Sequence, residues 1–145
     1  MLKTILVALD ESELSERVIQ SLGELQLHKE TKVILSHVFS SVNADIEEAA
    51  DRPHAHPEEI PYRQLEKQLQ VYQAQLPCQS ELEIVTGDPA EEIIRLSHIY
   101  HVDLIVIGRR GLKGLKRILQ GSVSSQVVAE APCSVLVVKP QEWEK

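Results

Sequence analysis

Five short apolar runs alternate along the chain with segments of helical periodicity, and that alternation restricts the fold more than any other feature. Ile5-Leu6-Val7-Ala8-Leu9 is continuously apolar rather than alternating, as expected of a strand covered on both faces. It stops at Asp10-Glu11-Ser12, polar residues of the helix-capping kind. Leu14, Val18, Ile19, Leu22 and Leu25 then recur at helical spacing and predict an amphipathic helix over residues 12 to 26. Lys32 to Val38 predicts the second strand, Leu82 to Val85 the third, Val102 to Ile107 the fourth and Ser134 to Val138 the fifth. Between them, Leu65, Leu69, Tyr72 and Leu76 mark a helix that Pro77 ends. Asp88-Pro89-Ala90-Glu91 starts another, with a cap, a proline at the first position and a capping-box Glu; Ile93, Ile94 and Ile99 supply its apolar face. Ser122 to Glu130 fits a last helix. Strands separated by helices imply right-handed crossovers in a mostly parallel sheet, hence a three-layer α/β sandwich.

The chain has 145 residues, about one domain's worth, with no internal repeat, so residues 1–145 are expected to form one domain. Its 15 Lys and Arg against 22 Asp and Glu leave a net charge of −7, which provides no global field for nucleic acid or anionic lipid. Aromatics at 3% exclude the interleaved stacking platforms of single-strand binders. No run approaches the ~18 apolar residues of a membrane span, and the N-terminal segment lacks a signal-peptide pattern. Cys78 and Cys133 cannot make a disulfide framework, so reduced thiols with packing roles and a soluble, cytoplasmic protein are expected.

The chemistry concentrates in one segment. Gly108-Arg109-Arg110-Gly111-Leu112-Lys113-Gly114 follows a buried strand, and Gly121-Ser122-Val123-Ser124 opens a helix. Glycines at such a place let backbone N–H groups approach phosphate oxygens, and a helix start adds unpaired donors and the positive dipole end. Arg109, Arg110, Lys113, Lys116 and Arg117 put five of the 15 basic residues within nine positions, where an even spread would put about one. An acidic chain that gathers its cations on a glycine-rich loop is built to hold a polyphosphate; the plainer alternative is a strand-to-loop turn with solvated cations. Neither G-x-G-x-x-G nor G-x-x-x-x-G-K-[ST] occurs.

Gly108-x2-Gly111-x9-Gly121-Ser122 resembles the signature of the nucleotide-binding branch of the universal stress protein family. The likeness extends to Ile5 through Ser12, to Gly87-Asp88-Pro89-Ala90-Glu91, to Asp103 through Gly108 and to Pro132 through Val138. The resemblance implies the adenine nucleotide alpha-hydrolase-like fold, a five-stranded parallel sheet of order 3-2-1-4-5. It implies binding of ATP, ADP or AMP, with Mg2+ on the phosphates. By resemblance, Ala8, Leu9 and Asp10 line the adenosine part and Val38 contacts the adenine. Gly108, Arg110 and Gly111 wrap the ribose and phosphates, and Gly121, Ser122, Val123 and Ser124 close on the phosphates. Arg109 departs from the family's usual small polar residue; it either reaches the phosphates or faces water.

Other residues have plainer readings. His54 and His56, with Glu58 and Glu59, lie in a proline-rich stretch over residues 40–62 that reads as a long loop and lacks the spacing of a closed zinc site. His37, inside an apolar strand, reads as a core or edge histidine. No G-x-S-x-G elbow is present for a hydrolase. Three functions remain: a regulatory protein that couples nucleotide state to an unknown protein partner, a slow ATPase or nucleotidyl-transfer enzyme using the same pocket, and a dimeric scaffold whose pocket is empty in the cell. The absence of any Asp or Glu from residues 108 to 124 favours the first. Val135 to Val138, uncharged and placed at a sheet edge by the resemblance, is expected to pair with a second copy in a homodimer, unless the tail from Gln141 to Lys145 covers it.

Overall fold

A computed structural model describes residues 2–10, 14–40, 59–108 and 123–139. Its strands are β1 (Thr4–Ala8), β2 (Lys32–Ser40), β3 (Gln79–Gly87), β4 (Leu104–Gly108) and β5 (Ser134–Val138). They alternate with helices α1 (Leu14–Gly23), α2 (Glu59–Ala74), α3 (Pro89–Ile99) and α4 (Val123–Glu130). All neighbouring strands pair in parallel, in the order β3-β2-β1-β4-β5. Side-chain alternation then sorts the core into two clusters, one on each face of the sheet. Ile5, Val7, Val33 and Leu35 pack with α1 and α2, whereas Leu6, Ile34, Ile105 and Ile107 pack with α3 and α4. Helices therefore cover both faces, which is why the central strands are apolar without interruption.

Several boundaries differ from the expectation. β3 begins at Gln79 rather than Leu82, because its polar Gln79, Ser80 and Glu81 pair with Lys32, Val33 and Ile34 of β2. Backbone pairing sets the length of this edge strand, and its apolar run covers only part of it. β1 ends at Ala8, yet Leu9 continues the ladder by donating its N–H to the Ser36 carbonyl at 2.9 Å. β4 starts at Leu104 rather than Val102, since the Asp103 carboxylate turns back to accept from the Lys3 and Thr4 amides, each at 2.9 Å. The stretch expected to be a loop over 40–62 is helical from Glu59 onward. Pro61 falls in the first turn, where an amide proton would have no helical partner.

α3 starts as predicted, with Pro89 first and the Asp88 carboxylate accepting from the Glu91 amide at 3.0 Å. Its buried stripe is Ala90, Ile93, Leu96 and Ser97; Ile99, expected to be buried, is exposed. The far end of α3 is clasped to the sheet. The Tyr100 hydroxyl donates to Glu83, and lies 3.3 Å from Glu81. Lys32 Nζ sits 2.7 Å from the Glu81 carboxylate and 5.4 Å from the centre of the Tyr100 ring. The bond to Glu83 foremost, then desolvation and the charges of Glu83 and Glu81, push the phenol above its usual range.

This clasp has a pH signature. The folded chain holds the phenolic proton more tightly than the unfolded chain, so its contribution is complete below the unfolded value of ~10 and is lost as pH climbs through the raised folded value. Tyr100→Phe should lower the urea midpoint at neutral pH, and the gap to the unmodified protein should close as pH rises above ~10. Urea titrations showing the same gap at neutral and alkaline pH would contradict the clasp.

Candidate functional site

β1 and β4 lie side by side, but the chain leaves β1 to build one half of the sheet and enters β4 to build the other. At such a switch point the connections beyond the strand ends diverge and leave a crevice. A cavity of about 180 Å3 lies there among the described residues. Ala8, Leu9 and Asp10, at and just beyond the end of β1, line it together with Ser36, His37 and Val38 of β2 and Ile107 and Gly108 of β4. α1 contributes Leu14, Ser15 and Val18, α3 contributes Pro89 and Ile93, and Val123 opens α4.

The rim is held by short bonds between neighbouring elements. The Ser36 hydroxyl donates to the Val7 carbonyl at 2.9 Å. His37 Nδ1 lies 2.7 Å from the Leu9 carbonyl oxygen, and its ring meets Phe39 edge-on, with centroids 4.7 Å apart and planes at 79°. Leu9 thus bonds β2 through both its amide and its carbonyl. The Ser15 hydroxyl donates to the Asp10 carbonyl and stands 3.5 Å from Asp10 Oδ1, fixing Asp10 where the chain leaves the sheet.

Gly108 has a packing role independent of any ligand. A Cβ there would lie 2.7 Å from Leu14 Cδ2 and 3.1 Å from Val18 Cγ2. Helix α1 closes directly over this residue, so a side chain there would crowd Leu14 and Val18.

Of the residues singled out in the sequence, Ala8, Leu9, Asp10, Val38, Gly108 and Val123 line the cavity. Ser124 is buried on α4 and does not line it. Arg109, Arg110, Gly111, Gly121 and Ser122 lie outside the described residues, as do His54 and His56. Ser15, Ser36 and His37 line the cavity and were not anticipated as site residues. Their signal was polarity inside apolar patterns: Ser36 and His37 interrupt a buried strand, and Ser15 sits beside the apolar stripe of α1. Among the described residues no group of three or more His, Cys, Asp or Glu could hold a metal ion. Cys78 and Cys133 are half-buried free thiols; burial pushes both up in pKa, and Asp103 adds to the effect at Cys133, which leaves them poor nucleophiles. No described helix is long and apolar enough to cross a membrane.

The model of the universal stress protein family matches residues 1–139. The chain belongs to that family. A universal stress protein of Synechocystis sp. is 34% identical over 93% of this chain and 96% of its own length. Among solved structures, the hypothetical protein MJ0577 has a TM-score of 0.82 at 29% identity and covers 99% of each chain. A universal stress protein in complex with cAMP has a TM-score of 0.68 at 25% identity, over 95% of this chain and 97% of that one. The five-stranded order with helices on both faces is the Rossmann-like arrangement of these universal stress proteins.

The Gly108 contact yields a measurable coupling. Gly108→Ala should cost about 1–3 kcal/mol in chemical denaturation, as overpacking does. The cost should shrink in a Leu14→Ala background, where most of the obstructing side chain is gone. Equal costs in the two backgrounds would show that α1 does not set the requirement for glycine.

Proposed function

We propose that this universal stress protein binds an adenine nucleotide (ATP, ADP or AMP) in the crevice beyond β1 and β4, and passes its nucleotide state to a protein partner in the cytosol. The observation that carries this reading is the cavity at the switch point, lined by the residues that the family signature names at β1, β2 and β4. The related structure in complex with cAMP supports an adenine ligand. At about 180 Å3 the described cavity is smaller than the ~300–1,000 Å3 of whole-ligand pockets, a size that suits one end of a nucleotide rather than the whole. Its aliphatic lining suits the base, and the Asp10 carboxylate suits ribose hydroxyls. Arg109, Arg110, Gly111, Gly121, Ser122, Val123 and Ser124 would serve the phosphates, with Mg2+ accompanying ATP.

Binding without rapid turnover fits the available groups. Phosphoryl transfer needs an oriented acceptor and charge-neutralising metal. Asp10 is the one carboxylate among the described lining residues, and the family resemblance gives it to the nucleoside end. ATP at a hundredfold excess over Kd should stabilise the fold by about 2.7 kcal/mol, read as a Tm rise of roughly 5–10 °C. Gly121→Val should abolish that rise, and phosphate release should stay far below the ~10 s⁻¹ of typical enzymes. No Tm response to ATP, ADP or AMP in the unmodified protein would overturn the nucleotide reading.

A second copy of the chain is the proposed partner at the sheet edge. β5 pairs only with β4 among the described strands, and its Val135, Leu136 and Val137 are half-buried. Val128, on the helix packed beside it, is 54% exposed. Pairing β5 with its own copy about a two-fold axis would cover these side chains and satisfy the edge. Sedimentation should show a dimer at micromolar concentration and a shift to monomer for Val128→Glu. A monomeric unmodified protein would refute this assembly.

A further inference from the structure

We propose that helix α1 carries a self-complementary pair of charges into the contact between two copies of the chain, Arg17 of each copy pairing with Glu24 of the other. This rests on the β5 dimer reading above and adds the residues that fix its register. The inference begins at Arg17, whose Nε is shielded from solvent and makes no hydrogen bond. Among the described residues neither the Arg17 guanidinium nor the exposed Glu24 carboxylate has an ion pair. A shielded guanidinium nitrogen is costly to leave unpaired, and an incoming carboxylate gains by pairing it. The two charges cannot serve each other within one copy. They stand seven residues and about 10 Å apart along the chain's helical path, beyond the three or four residues at which helix side chains meet.

What covers the rest of α1 sets the position of this pair. Leu14, Val18 and Leu22 are buried against the sheet, while Ile19 and Gly23 border a cavity shared with Tyr72 and Leu76 of α2. Helical spacing then puts Arg17, Ser21 and Glu24 in one row on the opposite flank. That flank overlooks the edge strand: α1 lies against β4 and β5, and Leu136 and Val138 join the core on its face of the sheet. Among the described elements nothing lies beyond β5. The levels agree as well. Leu14 packs at Gly108, which pairs with Val138. The midpoint of Arg17 and Glu24 lies about 10 Å further along α1, or about three strand residues back from Val138, within a residue of Leu136 at the middle of β5. A two-fold axis through the middle of β5 runs the two α1 helices antiparallel on either side of Leu136, and sets Arg17 of each copy opposite Glu24 of the other. A row of one sign would repel its copy, whereas opposite charges placed evenly about the axis attract it twice.

The test is sedimentation, over a concentration series, of the unmodified chain and of the charge reversals Arg17→Glu and Glu24→Arg. Each single reversal sets like charges against each other at both contacts and should raise the dimer Kd about tenfold. The circular dichroism of both variants should match that of the unmodified protein, because neither side chain has an ion pair in its own copy. An equimolar mixture of the two variants should recover tight association, since a mixed dimer brings opposite charges together at both contacts. The double variant Arg17→Glu with Glu24→Arg should recover it too. Unmodified affinity in either single variant would overturn the pair while leaving the β5 dimer intact. Weak association that mixing does not rescue would overturn it as well. A monomeric unmodified protein would remove the dimer reading and this proposal with it.

Discussion

β1 is hydrogen-bonded on both sides, to β2 and to β4, and the rest of the molecule is arranged around that pairing. Its Ile5, Leu6 and Val7 are fully buried, alternately against the α1–α2 layer and the α3–α4 layer. A strand in that position leaves no face to solvent, and its neighbours must be fed by crossovers on opposite sides. Those crossovers part beyond its C-terminal end. The crevice is thus a consequence of sheet topology, present before any functional residue is considered.

The same few residues serve the core and the crevice. Gly108 ends β4, borders the cavity, and leaves room for Leu14 and Val18 of α1. Leu9 continues the β1–β2 ladder through its amide and holds the His37 ring through its carbonyl. Ser15 anchors the backbone of Asp10 from the first turns of α1. Rigid packing and ligand geometry are coupled here: displacing α1 would shift the crevice wall, and loosening β2 would release the histidine. Such sharing holds polar groups in place without a dedicated supporting shell.

Much of the architecture was legible in the sequence because burial on both faces writes itself as uninterrupted aliphatic runs. Ile5 to Leu9 and Ser134 to Val138 mark their strands to within a residue, and Asp88-Pro89 marks the start of α3 through local capping chemistry. The glycine signature likewise led to β4 and to Gly108 at its end. These features depend on spacing along the chain, which one sequence displays in full.

Tertiary structure decided what depends on partners distant in the chain. Gln79 and Glu81 became strand because β2 offered backbone partners, Ile99 faced water because α3 turned its other side to the sheet, and Asp103 bent back to the Lys3 and Thr4 amides. His37 is the sharpest case. Its place in an apolar run foretold burial, and burial is observed. That its ring also borders a cavity, with Nδ1 bonded to the Leu9 carbonyl, required the end of β1 to lie beside β2. A sequence states which side chain is polar; only the contact between residues 28 positions apart states which backbone group its ring is bonded to.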